Sequence, residues 1–386
     1  MKPKPALRIA LFSETGAYLR MSLVRGVMAG LNQHPEFELL HKDGMPFSDW
    51  DHILGAQPDG VVCALLTPED CQQAARCRGK VVNVAELMEI KEFPSVYVDN
   101  LQCGVTAGRH LQSTGLNHFG YVGIEGGVNS EKRLEGFTSQ LPEQVPPDVL
   151  RLPPHPDDLN VWSRTTRLLA EWIASLPKPI GIYAFSDVHA RALQDAVHSL
   201  ALTIPGDVAV VGTGNYDMDT LIAKPPLSSV PLNWRKVAQV ATEILIDSVN
   251  GKRVPDVTLV QPRPVFIRAS SNHFFSRDKA IAKALQHIQA HYLEEIHVDE
   301  VARSAGISRR VLEKRFRQAT STSVYAFVNQ VRLRTAKILL MDTLETLDSV
   351  AQQSGFKEAR HLNTAMKKEL GITPGEYRRR VTMSIN

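Results

Sequence analysis

From Leu7 onward, short β-branched runs alternate with stretches whose apolar residues recur every three or four positions. Short apolar runs bounded by turn residues predict buried strands, and the recurrence near 3.6 predicts amphipathic helices. The spacing predicts strands over 7–12 (LRIALF), 37–40, 60–65, 80–85 and 96–98, with helices between them, the first over 18–31. After Asp99-Asn100 the alternation restarts. Helices are predicted over 101–115, 130–141, around 162–175 and over 187–200, and strands over 118–124, 149–152, 179–186 and 207–214. Such alternation implies parallel sheets covered on both faces. Two successive sets imply two lobes, with a ligand site where the C-terminal ends of the strands meet. Residues 251–277 are expected to add two short strands and then, over 270–277, a linker without period. Beyond it the period is helical throughout, in segments near 278–292, 297–304, 308–318, 323–340, 346–353, 358–369 and 374–380.

Charge sharpens this division. The net charge of the 386 residues is a bland +3, but residues 278–386 hold 18 Lys/Arg against 12 Asp/Glu, and the rest carry a net −3. Only Pro374 of the 23 prolines lies beyond residue 277. An α/β domain over 1–269 is thus expected to join an all-α, basic domain over 278–386. No apolar run approaches the ~20 residues that span a bilayer. The N-terminal apolar run is too short for a signal-peptide core. The four cysteines show no CxxC and no histidines at zinc spacing, so they read as reduced cytoplasmic thiols and no metal site is expected.

The sharpest motif lies in HVDEVARSAGISRRVLEKRFRQATSTS. Asp299 and Glu300 open a short helix, Gly306 supplies a turn, and Ser308 precedes a second helix over 309–318. This is helix-turn-helix geometry, whose second helix lies in a major groove. About fifty residues later it recurs, with Gly355 at the turn and the second helix over 357–369, so that the units span 297–318 and 346–369. Ala302 and Ala351 are small where the helices cross, and Ile307 and Phe356 anchor the turns. Leu312 and Phe316 face inward, leaving Arg309, Arg310, Glu313, Lys314 and Arg317 largely outside. A charged face is ordinarily just solvated, but two such units on a basic domain point to DNA. Arg and Lys read guanine edges, Glu313 is suited to cytosine N4, and Lys367, Lys368 and Arg378–Arg380 are placed to meet phosphates.

Over about 100 residues these segments, above all AGISRRVLEKRF, SGF and GITPGEYRRR, resemble the DNA-binding domain of the AraC/XylS family of bacterial regulators. The resemblance implies base contacts from Arg310, Glu313 and Lys314 in the first unit, and from Ala359, Arg360, Asn363 and Thr364 in the second. Leu362 and Met366 stand where aromatic residues are usual, and Thr364 where Arg is common.

The first part resembles the effector domain of LacI-type repressors and type I periplasmic sugar-binding proteins. The resemblance is carried by VDN…AGRHLQSTG (98–115), EKRLEGF (131–137), FSD (185–187) and IPGDVAVVGTGNYDM…PPLSSV (204–230). It implies a two-lobed sensor for a monosaccharide of the pentose class, with Arg133 as fork donor to sugar hydroxyls and Tyr18 as an aromatic wall. Ser186 and Asp187 are ligand candidates that equally suit a helix cap. Related sensors present an Asp where this chain has Gly214, with Asn215 next; the carboxylate is missing there unless Asp217 or Asp219 replaces it, and Asn215 and Asp217 join the ligand candidates. Together the resemblances imply a ligand-responsive activator that binds two promoter half-sites as a homodimer and engages RNA polymerase. The alternatives are the same architecture tuned to another metabolite, or a solute-binding receptor. GTGNYD lacks a dinucleotide fingerprint's third glycine, and HExxH, GxSxG and P-loop motifs are absent, so no cofactor and no catalytic residue is expected.

Overall fold

The computed structural model describes residues 7–13, 17–40, 49–153, 161–272, 278–320, 322–342 and 345–383. The chain begins with β1 (Leu7–Phe12), α1 (Ala17–Leu31), β2 (Phe37–Leu39), α2 (Trp50–Ala56), β3 (Gly60–Cys63), α3 (Pro68–Ala75), β4 (Lys80–Asn83) and β5 (Ser95–Val98). It continues through α4 (Asn100–Gln112), β6 (Phe119–Ile124), α5 (Val128–Thr138), β7 (Asp148–Leu152), α6 (Val161–Ser175), β8 (Ile180–Ala184), α7 (Asp187–Ser199), β9 (Val208–Gly214), α8 (Asp217–Ile222) and β10 (Ser228–Pro231). Helix α9 (Trp234–Val249) and β11 (Val257–Val260) complete the α/β part.

The strands form two parallel sheets, of order β11-β5-β4-β3-β1-β2 and β10-β9-β8-β6-β7. Strands such as β6 (FGYVGI) and β9 (VAVVGTG) are buried along their whole length, as expected of sheets covered on both faces. Each sheet therefore heads its own lobe. The chain passes between lobes at β5 to α4, again at β10 to α9, and a third time after β11, where Phe266 bridges back to Ser229.

The stretch after β9 departs from the sequence reading, which predicts none of α8, β10 and α9 there. Helix α9 returns to the first lobe and packs along α1 with Val237, Ala238, Ala241, Leu245 and Ile246 buried. Among the described residues 251–272 there is one named strand, β11, rather than the expected two; Phe266 makes only an isolated bridge. Ser270 and Ser271, expected in the linker, are fully buried. The Ser270 hydroxyl donates to the Val210 carbonyl and accepts from the Ser228 amide, which fastens this segment to the second lobe.

Close helix contact shapes that lobe. A Cβ on Gly104 would lie 2.0 Å from the Arg133 carbonyl oxygen, and one on Gly136 would lie 1.9 Å from that of Leu101. Only glycine at both places lets α4 and α5 touch backbone to backbone, and this sets where Arg133 stands.

The C-terminal part is helical throughout its described residues: α10 (Lys279–His291), α11 (Val298–Ala305), α12 (Arg309–Thr320), α13 (Val324–Asp342), α14 (Leu347–Gln353), α15 (Ala359–Leu370) and α16 (Pro374–Met383). One core joins Ile281, Leu285 and Ile288 to Val301, Leu312, Phe316, Phe327 and Val331. A second joins Leu333, Ala336 and Leu340 to Val350, Ala351, Phe356, Leu362 and Met366. Helix α13 gives one half to each core, so it is the rod on which both small bundles are mounted. Arg315 adds an ion pair from α12 to Asp278, which caps α10.

Candidate ligand cleft and nucleic-acid interface

Arg133, on α5, is 4% exposed. Its Nε donates to Asn100 Oδ1 at 2.9 Å, its Nη1 donates to the Phe185 carbonyl at 2.5 Å, and its guanidinium lies 4.7 Å from the centre of the Phe185 ring. Asn100 opens α4 and passes its own Nδ2 hydrogen to Glu86 Oε2 at 2.8 Å. Glu86, just past β4 in the first lobe, also takes the Lys132 ammonium at 2.5 Å. The chain Lys132–Glu86–Asn100–Arg133–Phe185 thus ties the two lobes where their strands end.

A second network surrounds β9. Gly214 ends that strand at φ +128°, and Asn215 follows at φ +57°. The Asp187 side chain is fully buried; its Oδ1 accepts from Ser229 Oγ at 2.5 Å and its Oδ2 from the Tyr216 amide at 2.9 Å. Burial raises its pKa to about 6 against the pull of these two donors. Both oxygens already hold the strand-end turn, so Asp187 is placed to position Tyr216 and Asn215. Ser186 caps α7, its hydroxyl lying 2.6 Å from His189 Nδ1. Asn215 Oδ1 accepts from Arg268 Nη1 at 2.8 Å. Asp217 is exposed in the first turn of α8. Tyr18 lies in α1, and its side chain is outside the described residues.

Several cleft residues escaped the sequence reading: Glu86, Asn100, Phe185, Tyr216, Ser229, Trp234 and Arg268. Trp234 Nε1, at the start of α9, donates to the Tyr216 hydroxyl at 3.2 Å and so forms another bridge between lobes. Phe185 and Tyr216 directly follow strand-end motifs, and that position was the available signal.

In the helical part, Gly306 (φ +69°) and Gly355 (φ +84°) occupy the left-handed region that both turns require. On α12, Leu312 and Phe316 are buried, and Arg310, Glu313, Lys314, Arg317 and Gln318 line one surface concavity. Arg309 is partly spent within the protein, donating to Glu313 at 3.0 Å and to Asp299 at 3.2 Å. The second helix starts at Ala359, later than position 357. Its Arg360 pairs with Glu358, and the Thr364 hydroxyl bonds back to the Arg360 carbonyl. Asn363 is half-buried, and Lys367 and Lys368 are exposed in the last turn. Leu362 and Met366 are fully buried, so they fill the core where aromatic residues are usual.

The two parts meet at the end of α4. The buried His110 ring lies 2.7 Å from the Ser271 hydroxyl, and Gln289 of α10 donates to the Asn272 carbonyl. Burial pulls the His110 pKa down to about 3, and Arg334 of α13 pushes in the same direction.

Residues 109–271 match the periplasmic binding protein-like domain family, and residues 301–380 match the helix-turn-helix domain family. The chain is 27% identical to the xylose operon regulatory protein of Escherichia coli K12 over 330 residues, 83% of each chain. It is 27% identical to the protein of the same description from Haemophilus influenzae, over 74% of this chain and 75% of that one. The solved structure of a xylose-binding transcription activator superposes with a TM-score of 0.64 at 25% identity, over 98% of this chain and 99% of that one. Among the described residues no helix is long and apolar enough to cross a membrane. With both parts matched in one order, and the solved activator superposing along nearly the whole length, the chain is a DNA-binding transcription regulator in which a periplasmic-binding-protein-like domain precedes an AraC-type helix-turn-helix domain.

Proposed function

We propose that this protein is a cytoplasmic activator of a sugar-utilisation operon, responding to a pentose-like monosaccharide and carrying out no catalysis of its own. The observation that carries this reading is Arg133. It is buried where the second lobe's strands end, held by Asn100 from one side and the Phe185 carbonyl from the other, and still has donors to give. A ligand that engages it favours one arrangement of the lobes, and a ligand shifts an equilibrium only through such a difference. The named relatives concern xylose, which supports a sugar of that size.

In this reading the sensor lobes pair into a homodimer. Each protomer presents α12 and α15 to successive major-groove faces, and RNA polymerase is recruited beside the bound half-sites. Arg310, Glu313, Lys314 and Arg317 read one groove face. Ala359, Arg360, Asn363 and Thr364 read the next, with Lys367 and Lys368 on phosphates. Arg133, Asn215 and the side chains of the β9 turn receive the sugar.

A thermal-shift screen of pentoses, hexoses and their phosphates, paired with footprinting on the promoter next to the gene, tests the reading. A selective ligand raises the melting temperature by mass action. The footprint should cover two groove faces per protomer and weaken steeply with salt. A footprint confined to one face, or turnover of a bound sugar, defeats it.

A further inference from the structure

We infer that the sensed monosaccharide carries a carboxylate, a uronate or aldonate class of ligand whose acid group docks on Arg133. This inference rests on the sugar-sensing reading above and narrows it.

A guanidinium offers five hydrogens. Arg133 commits two of them, to an amide oxygen and a backbone carbonyl, and both acceptors are neutral. Among the described residues no carboxylate pairs with it, although it is 4% exposed. A buried charge is ordinarily compensated by a counter-ion. The acids nearest in these networks are taken: Glu86 by Lys132 and Asn100, and Asp187 by Ser229 and the Tyr216 amide. One positive charge and three donor hydrogens therefore remain where the strand ends converge. A planar monoanion with two acceptor oxygens satisfies both, since Arg binds carboxylates as a fork.

The β9 turn supports the same conclusion. A sugar hydroxyl needs an acceptor oxygen, and β9 ends here on Gly214, which has no side chain; it sits at φ +128°, and a Cβ built there would lie 2.7 Å from Tyr216 Cε2 and 3.1 Å from Asp187 Oδ2. The Tyr216 ring fills that space and is anchored through its hydroxyl to Trp234. With Asp187 committed to the turn and no side chain at Gly214, a cation beside this strand end selects a ligand that brings its own acceptor.

The test is calorimetric titration of the full-length protein with D-xylose, D-glucose and D-galactose against D-xylonate, D-glucuronate and D-galacturonate. Methyl D-glucuronate and D-galacturonate esters and D-xylose 5-phosphate complete the set. The expected result is that at least one acid binds about tenfold or more tightly than its neutral parent. Its methyl ester should fall back to the parent's affinity, a comparison that needs no variant. Arg133→Lys should retain part of the preference and Arg133→Gln none. A neutral sugar that binds as tightly as its acid overturns the inference and leaves sugar sensing intact, as does a sugar phosphate that outbinds every carboxylate. If no sugar or sugar acid binds while the promoter footprint is intact, both readings fall together.

Discussion

His110 makes stability pH-dependent in a direction that the structure determines. Its ring is buried at the end of α4, and its pKa is pulled down to about 3 by burial, with Arg334 adding to the effect. In the unfolded chain a histidine titrates near ~6.5. Between these values the unfolded chain holds a proton that the folded protein does not, so stability rises with pH up to about 6.5 and falls on acidification below it. At pH 7.5 the contribution is under about 0.1 kcal/mol; at pH 5.5 it has grown to a loss of about 1.4 kcal/mol, and over the whole window it approaches about 5 kcal/mol. All four tryptophans precede residue 278, so urea unfolding followed by tryptophan fluorescence reads the sensor alone. Wild type and His110→Gln should be compared at both pH values, because the difference of differences cancels the other titrating groups. The wild type should lose about 1.4 kcal/mol more than the variant between pH 7.5 and 5.5. Equal losses would show that the ring is not held neutral, and the described packing around Ser271 would be wrong.

Readers and positioners on the DNA-binding face should separate. Arg310→Ala should cost about 1–3 kcal/mol and relax base preference at one or two positions, whereas Lys367→Ala should weaken all sequences alike and lower the salt slope. Competition binding over point-substituted sites measures both, and identical behaviour would refute the assignment of faces. Gly136→Ala should destabilise the sensor by about 1–3 kcal/mol or more in chemical denaturation, because its Cβ meets the Leu101 carbonyl at 1.9 Å. Gly55→Ala, with nothing within 4 Å of the new methyl, should be neutral or stabilising by up to about 1 kcal/mol.

What the sequence displays is what depends on local period. The β–α alternation and both helix-turn-helix turns could be read because strand and helix periods, Gly306 and Gly355 are properties of neighbouring residues. Lobe membership is not. Helix α9 has a good helical stripe, but it follows a stretch broken by Pro225, Pro226 and Pro231, and its return to the first sheet is a topological fact. The cleft shows the same limit. Arg133 stands out in EKRLEGF, but its partners lie 33 and 52 residues away, and Glu86 joins only through Asn100. Asp187 reads alike as cap or ligand from FSD. Only its distances to Ser229 and the Tyr216 amide show the carboxylate committed to the turn.

Helix α4 connects the two regions where the protein must act. Asn100 at its first turn belongs to the cleft network, and His110 near its last lies against Ser271 and close to Arg334 of the rod that carries both helix-turn-helix units. Ten residues of helix span about 15 Å, and a helix pressed backbone to backbone on α5 moves as a body rather than bending. In the proposed reading, a ligand that changes what Arg133 holds acts on one end of a rigid element whose other end faces the DNA-binding part. Linkage then makes the effect measurable in both directions. The factor by which ligand changes DNA affinity must equal the factor by which DNA changes ligand affinity, typically about 5- to 150-fold. Arg334→Gln should leave each binding constant near its wild-type value when measured alone and bring this factor toward one. Titrating ligand with and without promoter DNA, for both proteins, decides the matter. If the variant keeps the full factor, coupling does not pass through the end of α4, and the contact of His110, Ser271 and Arg334 serves packing alone.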